Sequence, residues 1–81
     1  MATPYEFADR TDAELDAVIR AAIAELADRG TTSAFATLIE LSALLGTSLG
    51  DAARRVAETG SWSQVAQVSG TTKQAAWSRW R

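Results

Sequence analysis

The sequence contains no cysteine and no histidine. The chain therefore has no disulfide or thiolate metal site, and it lacks the side chain that proteins use most often as a general base or metal ligand. Asp12 and Asp16 could form the carboxylate pair of a hydrolytic active site. No nucleophile, base or metal-ligating residue accompanies them, however. We therefore expect no enzyme activity, no catalytic residue, no cofactor and no metal site.

Acidic residues are missing from the last part of the sequence, since none follows Glu58. Residues 1–50 carry eight acids against three arginines, a net charge of −5, whereas residues 51–81 carry five cations against two acids, a net charge of +3. A polyanion is attracted to one end of such a chain and repelled by the other. The net charge of −2 for the whole chain therefore does not exclude a nucleic-acid partner.

Long uncharged runs are also scarce in the sequence. Charged residues interrupt each apolar run, so we expect no membrane-spanning segment. The N-terminal region is acidic and lacks the basic segment and apolar core of a signal peptide, which leaves the cytoplasm as the expected location. At 81 residues the chain is one domain at most. It has no room for a separate domain that binds a small-molecule ligand, and we expect none.

Apolar residues recur at three- and four-residue steps through most of the chain, which predicts an all-α fold of about five helices. The first ten residues lack this period, and we interpret them as an arm that Tyr5 and Phe7 pin to the body by burying their rings. A capping box of Thr11 and Glu14 begins the first helix. Glycines are expected to end the first three helices: Gly30, Gly46 and Gly60.

The second predicted helix, about residues 34–45, is apolar around most of its circumference, and Glu40 is its only charge. In so small a domain, we expect such a helix to pair with the first one as a hairpin that joins two copies of the chain. The alternative is a monomeric core. A third helix is expected to begin at Ser48 and to direct Arg54 and Arg55 away from its inner face, with phosphate as one possible partner. The predicted dimerisation residues are Phe35, Leu38, Ile39, Leu41 and Leu45.

The end of the chain predicts two short helices joined by a tight turn. Ser61 and Gln64 form a capping box at the start of the first of these helices. Gly70 supplies the positive φ that ends it, and either Thr71 or Thr72 caps the second. The pattern is typical of a helix-turn-helix.

Small and apolar residues occupy the positions where the two helices of such a motif pack. Ala66 lies at the crossing point, four residues before Gly70, while Ala76 and Trp80 share the inner face of the last helix. Long polar and cationic groups occupy its outer face, which suits a helix that enters the major groove of DNA. The predicted DNA-binding residues are Ser63, Thr72, Lys73, Gln74, Trp77, Ser78, Arg79 and Arg81.

Each of these side chains suggests a particular contact. Gln74 can form two hydrogen bonds with an adenine edge, and Lys73 reaches guanine or phosphate. Trp77 projects outward toward a thymine methyl group, a sugar or a partner subunit. Arg79 binds phosphate or, alternatively, forms an ion pair with an acid of the preceding helix, and hydroxyl groups near helix N-termini hold phosphates.

The same residues resemble a small helix-turn-helix module that is common in DNA-binding proteins of high-GC Gram-positive bacteria. Its pattern is tryptophan, two residues, isoleucine or valine, glycine or alanine, three residues, glycine, a Val/Thr-Ser/Thr-Arg/Lys-Gln-Ala-Ala run and an arginine-aromatic end. The resemblance covers residues 60–81 and implies DNA binding. The matching residues are Trp62, Val65, Ala66, Gly70, Thr71, Thr72, Lys73, Gln74, Ala75, Ala76, Arg79 and Trp80.

Together these features predict an arm (1–10), a helical dimerisation hairpin (11–46) and a helix-turn-helix region that binds DNA (47–81). The expected function is sequence-specific binding of double-stranded DNA by a small homodimeric transcriptional repressor. Its two half-sites are expected about 34 Å apart, one turn of the double helix. The alternative function is that of a protein-interaction adaptor that uses the apolar helix at 34–45.

Overall fold

The structure, a computed structural model, describes residues 6–81. These residues form four helices and no strand, so the all-α class is confirmed, while the expected number of about five helices is one too many. Tyr5 lies outside the described residues. Phe7 is 46% exposed, so its ring is not buried as the sequence analysis expected. The helices are α1 (Asp12–Arg29), α2 (Thr32–Thr59), α3 (Trp62–Ser69) and α4 (Lys73–Trp80).

Local signals in the sequence define α1. The predicted capping box is formed, because the backbone N–H of Glu14 donates to Oγ1 of Thr11 at 3.1 Å and the N–H of Thr11 donates to Oε1 of Glu14 at 3.0 Å. Gly30 adopts the left-handed conformation, with φ 59° and ψ 26°, and ends the helix as predicted. Two ion pairs between residues four apart follow the solvated side of the helix.

The prediction that a helix ends at Gly46 is wrong, because α2 continues through this residue to Thr59. Positive φ angles occur among the described glycines only at Gly30 and Gly70, so Gly46 keeps helical geometry. A glycine inside a helix costs about 0.5–1 kcal/mol relative to alanine, which is too little to end a helix whose flanking residues continue the hydrogen-bond ladder. Ser48 therefore lies inside α2 instead of capping a separate helix, which accounts for the missing fifth helix.

The uninterrupted α2 also corrects the expectation that charged residues break every apolar run well short of a membrane span. By length and composition alone this helix can cross a membrane, with a mean hydropathy of 1.3 over an 18-residue window of which 11% is buried. The expectation failed because Gly46 does not divide the helix and Glu40 is the only charge between Arg29 and Asp51. Core helices of soluble proteins pass the same test, so the finding does not by itself assign a location.

The chain divides into two compact units, Met1–Glu40 and Leu41–Arg81, and the boundary falls within α2. In the described part of the first unit, Ala34 is the only buried residue, and α1 buries none. The second unit has a small apolar core to which three helices contribute. The core consists of Ala53, Val65, Ala66 and Ala76, with Ala57, Trp62 and Trp80 packed against it.

Candidate nucleic-acid interface

Alanines fix the position of α4 in the second unit. Ala76 is completely buried and shares the core with Ala66 from α3 and Ala53 from α2. Side chains of this size let helix backbones approach closely, and any larger group at the same place has to displace a neighbour. The inward positions of Ala66 and Ala76 agree with the prediction from the sequence.

The turn between α3 and α4 spans Gly70 to Thr72. Gly70 has φ 72° and ψ 29°, and the N–H of Thr71 donates to the carbonyl oxygen of Ala66 at 3.0 Å. Of the two threonines that the sequence offered as caps, the structure uses Thr72, whose Oγ1 accepts from the N–H of Ala75 at 3.1 Å. A left-handed glycine and a threonine cap thus set the direction in which α4 leaves the turn.

The start of α3 forms one half of the predicted capping box. The N–H of Gln64 donates to Oγ of Ser61 at 3.3 Å. The Gln64 side chain lies instead against Gly60, where a Cβ atom would overlap its Oε1. Gly60 ends α2 as predicted, and its N–H donates to the carbonyl oxygen of Val56 at 2.8 Å.

One exposed face of α4 collects most of the predicted DNA-binding residues. A helix turns by about 100° per residue, so these positions share an arc of about 140° that begins about 60° away from the buried Ala76. The face carries two cations and no acid. Trp77 is 40% exposed, and the Arg81 guanidinium lies 4.2 Å from the centre of its ring. The residues of this face, all exposed, are Lys73, Gln74, Trp77, Ser78 and Arg81.

The other three predicted DNA-binding residues lie outside this face. Ser63 is exposed in the first turn of α3, and Thr72 caps α4. Arg79 lies on another side of α4, with its guanidinium 4.9 Å from the centre of the Trp80 ring. It forms no ion pair with Asp51 or Glu58, which was the alternative left open by the sequence, and the Asp51 carboxylate instead accepts from Arg54.

Arg54 has a role that the sequence analysis missed. Its Nη1 donates to the carbonyl oxygen of Trp80 at 2.8 Å, and its Nη2 donates to Oδ1 of Asp51 at 2.6 Å. In the free protein this guanidinium therefore bonds groups of the chain itself, and a contact with phosphate stays a prediction. Asp51, three residues earlier on the same helix, was the available signal, but nothing local indicates a bond to a residue 26 positions away.

The predicted dimerisation residues are mostly uncovered. Phe35 is 64% exposed and Leu45 is 62% exposed, and only Leu38 is partly buried. Aliphatic residues of α1, which belong to the predicted dimerisation hairpin but not to this set, are exposed as well. The exposed members of both sets are Val18, Ile19, Ile23, Phe35, Ile39, Leu41 and Leu45.

Within residues 6–81 no group of three or more acidic side chains lies close enough together to hold a metal ion. Comparison of the chain with protein-family models, with curated proteins and with solved structures finds no match. The geometry, burial and charge of this chain's own residues therefore support the function proposed below.

Proposed function

We propose that this protein binds double-stranded DNA in a sequence-specific manner, as a homodimeric transcriptional repressor whose α3 and α4 act as a helix-turn-helix. The observation that carries the proposal is the two-sided character of α4, a capped helix with a fully buried alanine on one side and an acid-free polar face on the other. A short helix with this division fits the major groove while its inner side stays attached to the protein.

The first turn of α4 supplies the base contacts in this proposal. Lys73 and Gln74 are exposed there, and the N-terminal residues of a recognition helix are the ones that reach base edges. Gln74 reads adenine through its amide, and Lys73 reads guanine or binds phosphate. Each such contact typically contributes about 1–3 kcal/mol of discrimination.

Phosphate contacts come from the flanks of this helix. The Thr72 hydroxyl accepts a hydrogen bond from Ala75, which leaves its own proton available to a phosphate oxygen. Ser63 offers a second hydroxyl beside the unpaired N–H groups at the start of α3. Arg79 and Arg81 add positive charge, and the sequence contains no acid beyond Glu58 that would repel the backbone.

In this proposal a second copy of the chain packs against the exposed apolar residues of the first unit. An 18-residue helix without a buried residue gains little from tertiary packing, which supplies most of the stability of helices in proteins. Apolar residues recur along α1 at the spacing of a helix that packs along another helix, with Ile19 and Ala22 exposed and Leu15 and Leu26 partly buried.

The acidic character of the first half of the chain argues against an anionic membrane surface as the partner of these residues, because helices that bind such surfaces are rich in lysine and arginine. In this proposal the protein acts in the cytoplasm, where DNA is accessible. Repression would follow from occlusion of a promoter.

The exposed leucines of α2 favour one alternative, a protein-interaction adaptor. Leu41, Leu44 and Leu45 are all exposed on this helix. Salt separates the two functions, because affinity for DNA falls steeply as salt rises, whereas binding through an apolar surface does not.

Selection from a pool of random duplex DNA, followed by sequencing, tests the proposal. We expect the wild type to recover a defined motif with two-fold symmetry, and the double variant Lys73→Ala with Gln74→Ala to recover none. Gln67→Ala is the matched control, because Gln67 is an exposed glutamine of α3 outside the proposed contacts. Recovery of no motif by the wild type at low and moderate salt would exclude the DNA-binding function.

A further inference from the structure

Arg54 connects α2 to the end of α4. Its Nη1 lies 2.8 Å from the carbonyl oxygen of Trp80, the last residue of that helix. The final carbonyl groups of a helix have no partner within the helix, and positive charge is favourable beside them. This contact therefore satisfies an otherwise unpaired acceptor at the C-terminal end of α4.

A second hydrogen bond also orients the guanidinium of Arg54, which lies close to Gly50. Nη2 donates to Oδ1 of Asp51 at 2.6 Å, one turn earlier on α2. The other nitrogen, Nη1, passes over Gly50, where a Cβ atom would lie only 3.3 Å away. A carboxylate and a backbone carbonyl thus each accept from one nitrogen of the same planar group, on a side chain that is 44% exposed.

The bond from Arg54 acts at some distance from the point where α4 enters the core. Ala76 is that point, and helix geometry places Trp80 about 6 Å beyond it and Lys73 about 4.5 Å before it. A sideways movement of one end consequently moves the other end almost as far in the opposite direction. The Trp80 ring also packs against the core, and the bond from Arg54 is a second attachment of the same end, made to the backbone itself.

We infer that Arg54, held by Asp51, is a positioning residue that sets the orientation of α4 and thereby the sequence specificity of DNA binding. The inference rests on the proposed function, in which the first turn of α4 reads bases. A side chain that hydrogen-bonds a base edge must lie within about 0.5 Å of the position in which the bond forms. Attraction to the phosphate backbone tolerates larger shifts. Loss of Arg54 therefore weakens binding to the correct site more than binding to random DNA.

Arg54→Gln is the main test. Arg55→Gln is its control, because it removes the same charge from the next position of α2, and loss of a phosphate contact there would lower specific and non-specific affinity together. Dissociation constants are measured for the selected motif and for a random duplex over a range of salt concentrations. We expect Arg54→Gln to lower the ratio of specific to non-specific affinity about tenfold, the effect of losing one hydrogen bond to a charged group, with an unchanged salt slope. Arg54→Lys keeps the charge but loses the paired nitrogens of the guanidinium. We expect its ratio of specific to non-specific affinity to lie between those of Arg54→Gln and the wild type.

Two results would overturn the inference. A salt slope reduced by about 0.9, with equal loss of specific and non-specific affinity, would make Arg54 a phosphate contact. The bond to Trp80 does not set specificity if Arg54→Gln leaves the ratio of specific to non-specific affinity unchanged, or if Arg55→Gln lowers that ratio by the same factor.

Hydrogen exchange of the free protein separates this inference from the DNA-binding proposal. We expect Arg54→Gln to raise amide exchange in α4 while α3 keeps its wild-type rates. If this occurs in a protein whose wild type selects no DNA, the anchoring of α4 stands and the proposed function fails. Unchanged exchange in α4 would refute the anchoring itself.

Discussion

Different interactions stabilise the two units of this chain. In residues 6–40, hydrogen-bonded caps and ion pairs between neighbouring turns accompany a single buried alanine. In residues 41–81, three helices share a core, and Arg54 bonds a residue 26 positions away. The first unit is acidic and the second is basic in its last part. The comparison shows that a helix can be well specified by its sequence and still lack a surface that stabilises it.

The largest effect on the first unit is expected from a charge placed on the exposed apolar side of α1. Ile19 is 56% exposed, so Ile19→Asp leaves a single chain almost undisturbed. In a dimer the same change buries two unpaired carboxylates, and we expect dissociation to become easier by at least about 4 kcal/mol, about 2 kcal/mol for each copy. Sedimentation equilibrium measures the dissociation constant, and circular dichroism at the same concentrations reports the loss of α1.

Ala24→Asp is the matched control for that change, because Ala24 lies on the opposite side of the same helix and is also exposed. It is expected to leave the dimer intact. A wild type that stays monomeric at high concentration with α1 fully helical would show that the first unit needs no second copy.

The second unit is expected to respond to a change in its core. Ala76→Leu adds three carbon atoms at a completely buried position, and we expect it to lower the free energy of unfolding by about 1–3 kcal/mol. Thermal unfolding followed by tryptophan fluorescence reports on this unit, since all three tryptophans lie in it.

Ala75→Leu introduces the same side chain at the preceding, exposed position and is expected to change the unfolding free energy by less than about 0.5 kcal/mol. Equal effects of the two substitutions would mean that α4 does not pack against α2 and α3 through Ala76.

The difference between the units also explains how much the sequence could predict. The ends of α1 were predictable because Thr11, Glu14 and Gly30 act within a few residues of one another. The glycine turn before α4 was predictable for the same reason. The bond from Arg54 to Trp80 was not, because its partners meet only after the helices have packed. Helical periodicity predicted which residues form the exposed face of α4. It does not specify the molecule that this face binds.

The glycines provide the smallest but most direct test, because the same residue type behaves differently at two positions. Gly70 has φ 72°, which side-chain-bearing residues rarely adopt, whereas Gly46 has helical geometry and open space around its Cα. We expect Gly70→Ala to lower the free energy of unfolding by about 1 kcal/mol and Gly46→Ala to raise it by about 0.5–1 kcal/mol. Chemical denaturation measures both. Destabilisation by Gly46→Ala would indicate a helix break at that residue, as the sequence pattern first suggested, and would restore the separation of a dimerisation hairpin from the DNA-binding region at this point of the chain.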